Sequence, residues 1–247
     1  MSQYPIRKSA IVTGSSRGIG RAIALRLARD GFSVLVNYAG NQTEAEKVVA
    51  EITSAGGQAI AVKGDVSKVD DVAGLFDAAE AAFGGVDVLV NNAGIMSLAK
   101  IEDSSDALFD SQVAINFKGT FNTMREAAKR LHNNGRVVNF STSVVGLKLE
   151  TYAVYAASKA AVETLTNIFA KEMRGRAITV NAIAPGPTAT DLFLNGKPQE
   201  VIERMSKMAP LERLGTPDDI AGAVAFLVGP DGGWINGQVL RANGGVI

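Results

Sequence analysis

The 247-residue chain contains no cysteine and a single histidine, His132. The first absence removes disulfide frameworks, thiol nucleophiles and thiolate metal sites. The second leaves no material for a multi-histidine zinc centre and little for a serine–histidine triad, so no metal is expected. An excess of one charge is also missing: 25 Lys and Arg balance 25 Asp and Glu, for a formal charge of zero. A nucleic-acid or membrane-surface protein would need a net basic face to attract phosphates, and neither partner is expected. No apolar run approaches the roughly 20 residues that span a bilayer. The opening MSQYPIRKSAIVTG lacks the charged-then-apolar layout of a secretory leader, so the expected location is the cytoplasm. Hydrophobic residues, at 47%, suit a sizeable core and exclude disorder.

What is present is an alternation. Short, near-continuously apolar runs occupy 8–13, 33–37, 59–63, 86–91, 136–141, 177–183 and 238–241, with helical patterns between them. Such runs predict parallel strands covered by helices on both faces. Helix starts are legible where Ser67 precedes Asp70, where Asn41 precedes Glu44, and where Thr216 precedes Pro217, Asp218 and Asp219. The order implies an α/β fold with a doubly wound parallel sheet, as one domain over 1–247. The stretch 185–217 holds Pro185, Pro187, Pro198 and Pro210 before Pro217 and no strand pattern, which suggests a functional lid near 188–210.

The first strand runs into Thr13-Gly14-Ser15-Ser16-Arg17-Gly18-Ile19-Gly20 and then a helical pattern. Glycines at a strand-to-helix turn let a pyrophosphate approach backbone amides at the positive end of the helix dipole. The G-x3-G-x-G spacing differs from the G-x-G-x-x-G fingerprint and from the phosphate loop. A glycine-rich turn that merely closes a βα unit is the alternative. Further along, Tyr155 and Lys159 stand four apart in a strongly helical segment, which sets both side chains on one helical face. A phenol has an ordinary pKa of ~10, and a nearby ammonium would favour the phenolate and lower it. By itself that pair is equally a solvated helix surface.

Taken together, TGSSRGIG at 13–20, Asn91-Asn92-Ala93-Gly94, Asn116, the serine-rich stretch at 141–143, Tyr155-Ala-Ala-Ser-Lys159 and Pro185-Gly186 resemble the short-chain dehydrogenase/reductase family, over essentially the full chain and in the family's order. The closing ING-QVLRANGG looks like the end of 3-oxoacyl-(acyl-carrier-protein) reductase-type members. The resemblance implies a Rossmann-type sheet, a nicotinamide cofactor and hydride transfer to or from a carbonyl or alcohol. It makes Tyr155 the proton donor in reduction and gives Lys159 the nicotinamide ribose. Gly14, Ser16, Arg17, Gly18, Ile19, Gly20, Asn37, Asp65, Val66, Asn92, Ala93 and Gly94 would hold the dinucleotide, with Tyr155 and Lys159. Pro185, Gly186, Thr188 and Thr190 would hold its carboxamide end. Asn116 would hold a water at a helix kink and relay protons from Lys159.

The end of the second strand, Asn37-Tyr38-Ala39-Gly40-Asn41, has no acid to bond the 2′-hydroxyl of NAD or repel a 2′-phosphate. Arg17 offers a planar fork for that phosphate, so NADP(H) is expected over NAD(H). A hydroxyl is also needed beside the tyrosine to hold the substrate oxygen. Counting forward along the strand gives Thr142, whereas the Val144-Val145-Gly146 that follows gives Ser143, the closer motif match and our choice. Tyr152, with Ala156 four residues on, has no cationic partner and reads as a packing or pocket aromatic; His132 receives no catalytic part. Residues 96–101, 144–152 and 188–210 should flank a medium-sized ketone or acyl substrate. Arg125, Lys129, Arg130, Arg174 and Arg176 could dock a carrier protein but read better as solvated helix faces. The resemblance further suggests a homotetramer through helices near 104–132 and 153–174. The expected activity is NADPH-dependent carbonyl reduction. The alternatives are an NAD(P)-binding regulatory protein without turnover and an NAD-dependent alcohol or sugar dehydrogenase.

Overall fold

The computed structural model describes residues 8–196 and 198–247. Residues 1–7 of the opening stretch, and residue 197 within the expected lid, lie outside the described residues. Seven strands form one parallel sheet: β1 (Ser9–Val12), β2 (Ser33–Tyr38), β3 (Gln58–Lys63), β4 (Val86–Asn91), β5 (Leu131–Phe140), β6 (Thr179–Pro185) and β7 (Val239–Ala242). Their spatial order is β3-β2-β1-β4-β5-β6-β7. The chain therefore reverses its direction of travel between β1 and β4, and such a reversal opens a crevice beyond the strand ends.

Alternate side chains of each strand point to opposite faces, and both faces are buried. Ala10, Val12, Val34, Val36, Val88 and Val90 pack under α1 (Gly18–Arg29), α2 (Gln42–Ser54) and α10 (Pro217–Val228). Ile11, Leu35, Leu89 and Val137 face the other way, under α3 (Val69–Phe83), α5 (Gly119–Arg130) and α7 (Ala153–Glu172). The near-continuous apolar runs follow from this two-sided cover.

Some boundaries differ from expectation for local reasons. Ala177 sits at φ 53°, in the left-handed region, so β6 starts at Thr179 and continues to Pro185. The strand β5 pairs early, Leu131 with Val86, and an irregularity carries it to Arg136 opposite Val88. Thr216 and Asp219 form the reciprocal cap at the head of α10. Asn41 caps α2 by accepting from the Glu44 amide, but the Glu44 carboxylate turns to Lys47 instead of reaching back. Ser67 is not the cap of α3: its hydroxyl and amide both donate to Asp65, and the helix begins at Val69.

The segment read as a lid contains α8 (Asp191–Leu194) and α9 (Gln199–Ser206), and a single bridge joins Thr188 to Gly215. Between α4 (Asp106–Gln112) and α5, residues Val113–Lys118 form a π-helical turn. His132 follows α5 and bonds Asp87 at 3.1 Å; the carbonyls of Ala128 and Leu131 are capped by Arg176. Of the five basic residues considered for carrier docking, Arg176 is turned inward, Arg130 pairs with Asp77 and Glu80, Lys129 pairs with Glu126, and Arg125 stacks on Phe121. Among the described residues no helix is long and apolar enough to cross a membrane.

Candidate active site

The glycine turn leaves β1 at the reversal point. Gly14 holds φ 61°, and a Cβ there would lie 2.9 Å from the Ala93 Cα. At Gly20 an added Cβ would meet Asn92 Nδ2 and the Gly14 carbonyl at 2.5 Å each. Both positions therefore exclude a side chain. The turn is clasped from β4: Asn92 Nδ2 donates to the Thr13 and Gly14 carbonyls at 2.9 and 3.0 Å, and the Ala93 amide donates to Thr13 Oγ1 at 3.0 Å. No side chain caps α1 behind Arg17, so its first-turn N–H groups remain available to an anion.

A cleft of about 470 Å³ follows this turn, bordered by Ser16, Arg17, Gly18, Ile19, Asp65, Val66 and Gly94, with Asn37 and Tyr38 at the end of β2. Arg17 is exposed and has no ion-pair partner among the described residues. Asn37 borders the cleft, but its carboxamide is spent on the protein: Oδ1 accepts from the Gly14 amide at 3.0 Å and Nδ2 donates to the Gly64 carbonyl at 3.0 Å. Asp65 similarly holds Ser67. Ile95 and Ile115 also line the cleft and were not anticipated, because isolated isoleucines carry no spacing signal.

The cleft continues into a second cavity of about 140 Å³ that contains Tyr155, Lys159, Thr142, Ser143, Gly186, Thr188 and Thr190. Thr188 is buried, with Oγ1 donating to the Gly186 carbonyl, and Thr190 caps α8 while its methyl lies over Gly18. Tyr155 and Lys159 thus line one cavity, which shares Ile19, Asn92, Gly94, Thr190 and Leu192 with the cleft.

Their electrostatics correct the expectation. Burial pushes the Tyr155 phenol up to about 12; hydrogen bonding with the Thr142 hydroxyl opposes that rise, and the neighbouring Tyr152 adds to it. Burial pushes the Lys159 ammonium down to about 8. Lys159 Nζ donates to the Phe140 carbonyl at 2.8 Å, and it is burial that sets the direction of the phenol's shift.

The choice of Ser143 also changes. Ser143 Oγ donates to the Ala184 carbonyl at 3.1 Å and accepts from Asn243 at 3.0 Å. The hydroxyl that bears on the Tyr155 phenol from the cavity wall is that of Thr142. Ser141 donates at 2.5 Å to Glu163, a residue missed in the sequence although it stands one helical turn beyond Lys159.

Asn116 lies within the π-helical turn, fully buried. Its Oδ1 accepts from the Ile95 amide at 2.8 Å, and its Nδ2 donates to the Ile95 carbonyl at 2.9 Å and to Ser158 at 3.3 Å. Ser158 in turn donates to the Tyr155 carbonyl at 2.7 Å. The kinked helix is thereby tied to the helix that bears the tyrosine. Among the described residues no cluster of side chains could hold a metal ion.

A doubly wound sheet with a glycine cradle at its reversal, opening onto a buried tyrosine and lysine, defines a nucleotide-dependent oxidoreductase. The family model described as enoyl-(acyl carrier protein) reductase matches residues 14–247. A short-chain type dehydrogenase/reductase of Picea abies is 46% identical, over 96% of this chain and 92% of its own. An Arabidopsis thaliana protein named NADPH-dependent aldehyde reductase-like, chloroplastic, is 43% identical over 100% of this chain and 98% of its own. The solved structure of angucycline C-6 ketoreductase LanV with bound NADP superposes with a TM-score of 0.92 at 35% identity, covering 98% of this chain and 96% of that one. The chain belongs to the short-chain dehydrogenase/reductase family.

Proposed function

We propose that this protein is an NADPH-dependent reductase that converts an aldehyde or ketone to the alcohol, with Tyr155 as the proton donor. The observation that carries the reading is the convergence of Tyr155, Thr142 and Lys159 on one small cavity that opens into the glycine-turn cleft. Bound there, the nicotinamide would supply hydride to the carbonyl carbon. The chain's own residues do the rest. A phenol held near 12 stays protonated throughout the neutral range, ready to give its proton to the carbonyl oxygen. Thr142 is placed to share that oxygen, in an oxyanion-type role. Lys159, buried among the cavity walls, is suited to the ribose hydroxyls, and Asn116 with Ser158 fixes the helix that bears the pair.

The preference for NADPH rests on Arg17, which borders the cleft with no carboxylate partner among the described residues, and on a β2 end without an acid. It is in keeping with the NADPH dependence named for the Arabidopsis relative and the NADP bound in the ketoreductase structure.

The test is NADPH consumption against a panel of aldehydes, ketones, diketones and β-ketoesters, repeated with NADH and with Y155F. Carbonyl-dependent consumption that Y155F lowers by about a thousandfold supports the reading, since proton transfer by a positioned group contributes roughly 10²–10⁴. Equal turnover with NADH would remove the cofactor preference. Unchanged turnover in Y155F would remove the mechanism.

A further inference from the structure

Tyr152 immediately precedes α7, three residues ahead of the reacting phenol. It is only 8% exposed, and it lines the same cavity as Tyr155. The two rings meet edge-on, with centroids 6.4 Å apart and planes at 63°. That contact fixes the Tyr152 ring. Its phenolic oxygen, however, has no hydrogen-bond partner among the described residues, and burial alone raises its pKa. The residue that carries this unpartnered oxygen lines the cavity. A buried tyrosine hydroxyl normally finds a partner, because leaving it dry costs about 1–3 kcal/mol.

The rest of the wall says what kind of molecule could supply that partner. Met96, Leu147, Leu149, Phe193 and Met205 make much of the lining apolar. Among the described residues the only charged side chain on it is Lys159, which donates to the Phe140 carbonyl. A carboxylate or phosphate on the substrate would have to be buried against this largely apolar wall, at a cost in desolvation.

We infer that Tyr152 is a substrate-orienting residue that hydrogen-bonds a second, uncharged oxygen close to the reacting carbonyl. The favoured substrate class is then a compact apolar carbonyl compound that bears an adjacent keto or hydroxyl group. Tyr155 and Thr142 take the oxygen that is reduced, and Tyr152 takes its neighbour. A site built to pair a substrate oxygen discriminates against the analogue that lacks it, because its own polar group is then left unpaired. The inference rests on Tyr155 being the proton donor to a carbonyl, as proposed above.

The test compares 1-phenylpropane-1,2-dione with 1-phenylpropan-2-one, which keeps the carbon skeleton and loses one oxygen. Each is reduced with NADPH by the wild type and by Y152F, which retains the ring and its packing. The expected result is a fall in kcat/KM of about five- to tenfold for the dione, carried mainly by KM, and a fall at least threefold smaller for the monoketone. Equal falls on both compounds, or none on either, would overturn the inference while leaving carbonyl reduction intact. If the wild type reduces neither compound, the inference also fails. In that case Y155F-sensitive reduction of hexanal or cyclohexanone would keep the underlying reading standing, and its absence would end both.

Discussion

Lys159 offers a test of the site that does not depend on turnover. Its ammonium is 3% exposed and loses its proton near 8, against 10.5 for an ordinary lysine. Burial has lowered the folded-state pKa, so between those two values the unfolded chain holds more protons than the folded one. Stability from this group is therefore present above 10.5 and is lost as the pH falls through 8. At neutral pH the buried charge costs the fold about 3 kcal/mol. Replacing it by methionine removes that penalty and leaves the Phe140 carbonyl without its donor, a loss of about 1 kcal/mol. K159M should thus be more stable than wild type by about 2 kcal/mol at pH 7. The gain should shrink from pH 8 upward and vanish or reverse near 10.5. Urea unfolding of both proteins at pH 7, 8, 9 and 10 measures this directly, since other titrating groups cancel in the difference. A gap that stays constant across the range, or a wild type more stable at pH 7, would refute the reasoning.

Two further outcomes follow from the same geometry. T142A should lose about a hundredfold in kcat, whereas S143A should lose much less and mainly destabilise the turn that Asn243 and Ala184 hold; steady-state kinetics with melting curves separates them. R17A should raise the KM for NADPH about tenfold and leave that for NADH within about twofold; equal changes for both would make Arg17 an ordinary loop charge.

Strands buried on both faces are the most legible part of such a sequence. The run 86–91 needs no tertiary information, because any sheet that holds it must cover both sides. The lid segment is harder: α8 has four residues and α9 eight, too few for a periodic pattern to rise above the prolines around them. The left-handed Ala177 that delays β6 carries no compositional mark. At the site, helical spacing sets Tyr155 and Lys159 on one face, but only the order of the surrounding motifs singled that face out from a solvated one. The choice between Thr142 and Ser143 was beyond counting, because it depends on how the chain turns as it leaves β5. The pKa directions were equally out of reach. Nothing in a tyrosine–lysine spacing of four shows that burial will raise the phenol and lower the ammonium.

The glycine-turn cleft and the Tyr155 cavity share walls: Ile19, Asn92, Gly94, Thr190 and Leu192 border both. Selectivity for one ligand cannot be retuned at those five positions without disturbing the grip on the other. Replacements meant to admit a bulkier ketone belong farther out, at Leu147 or Leu149, which line the Tyr155 cavity and not the cleft.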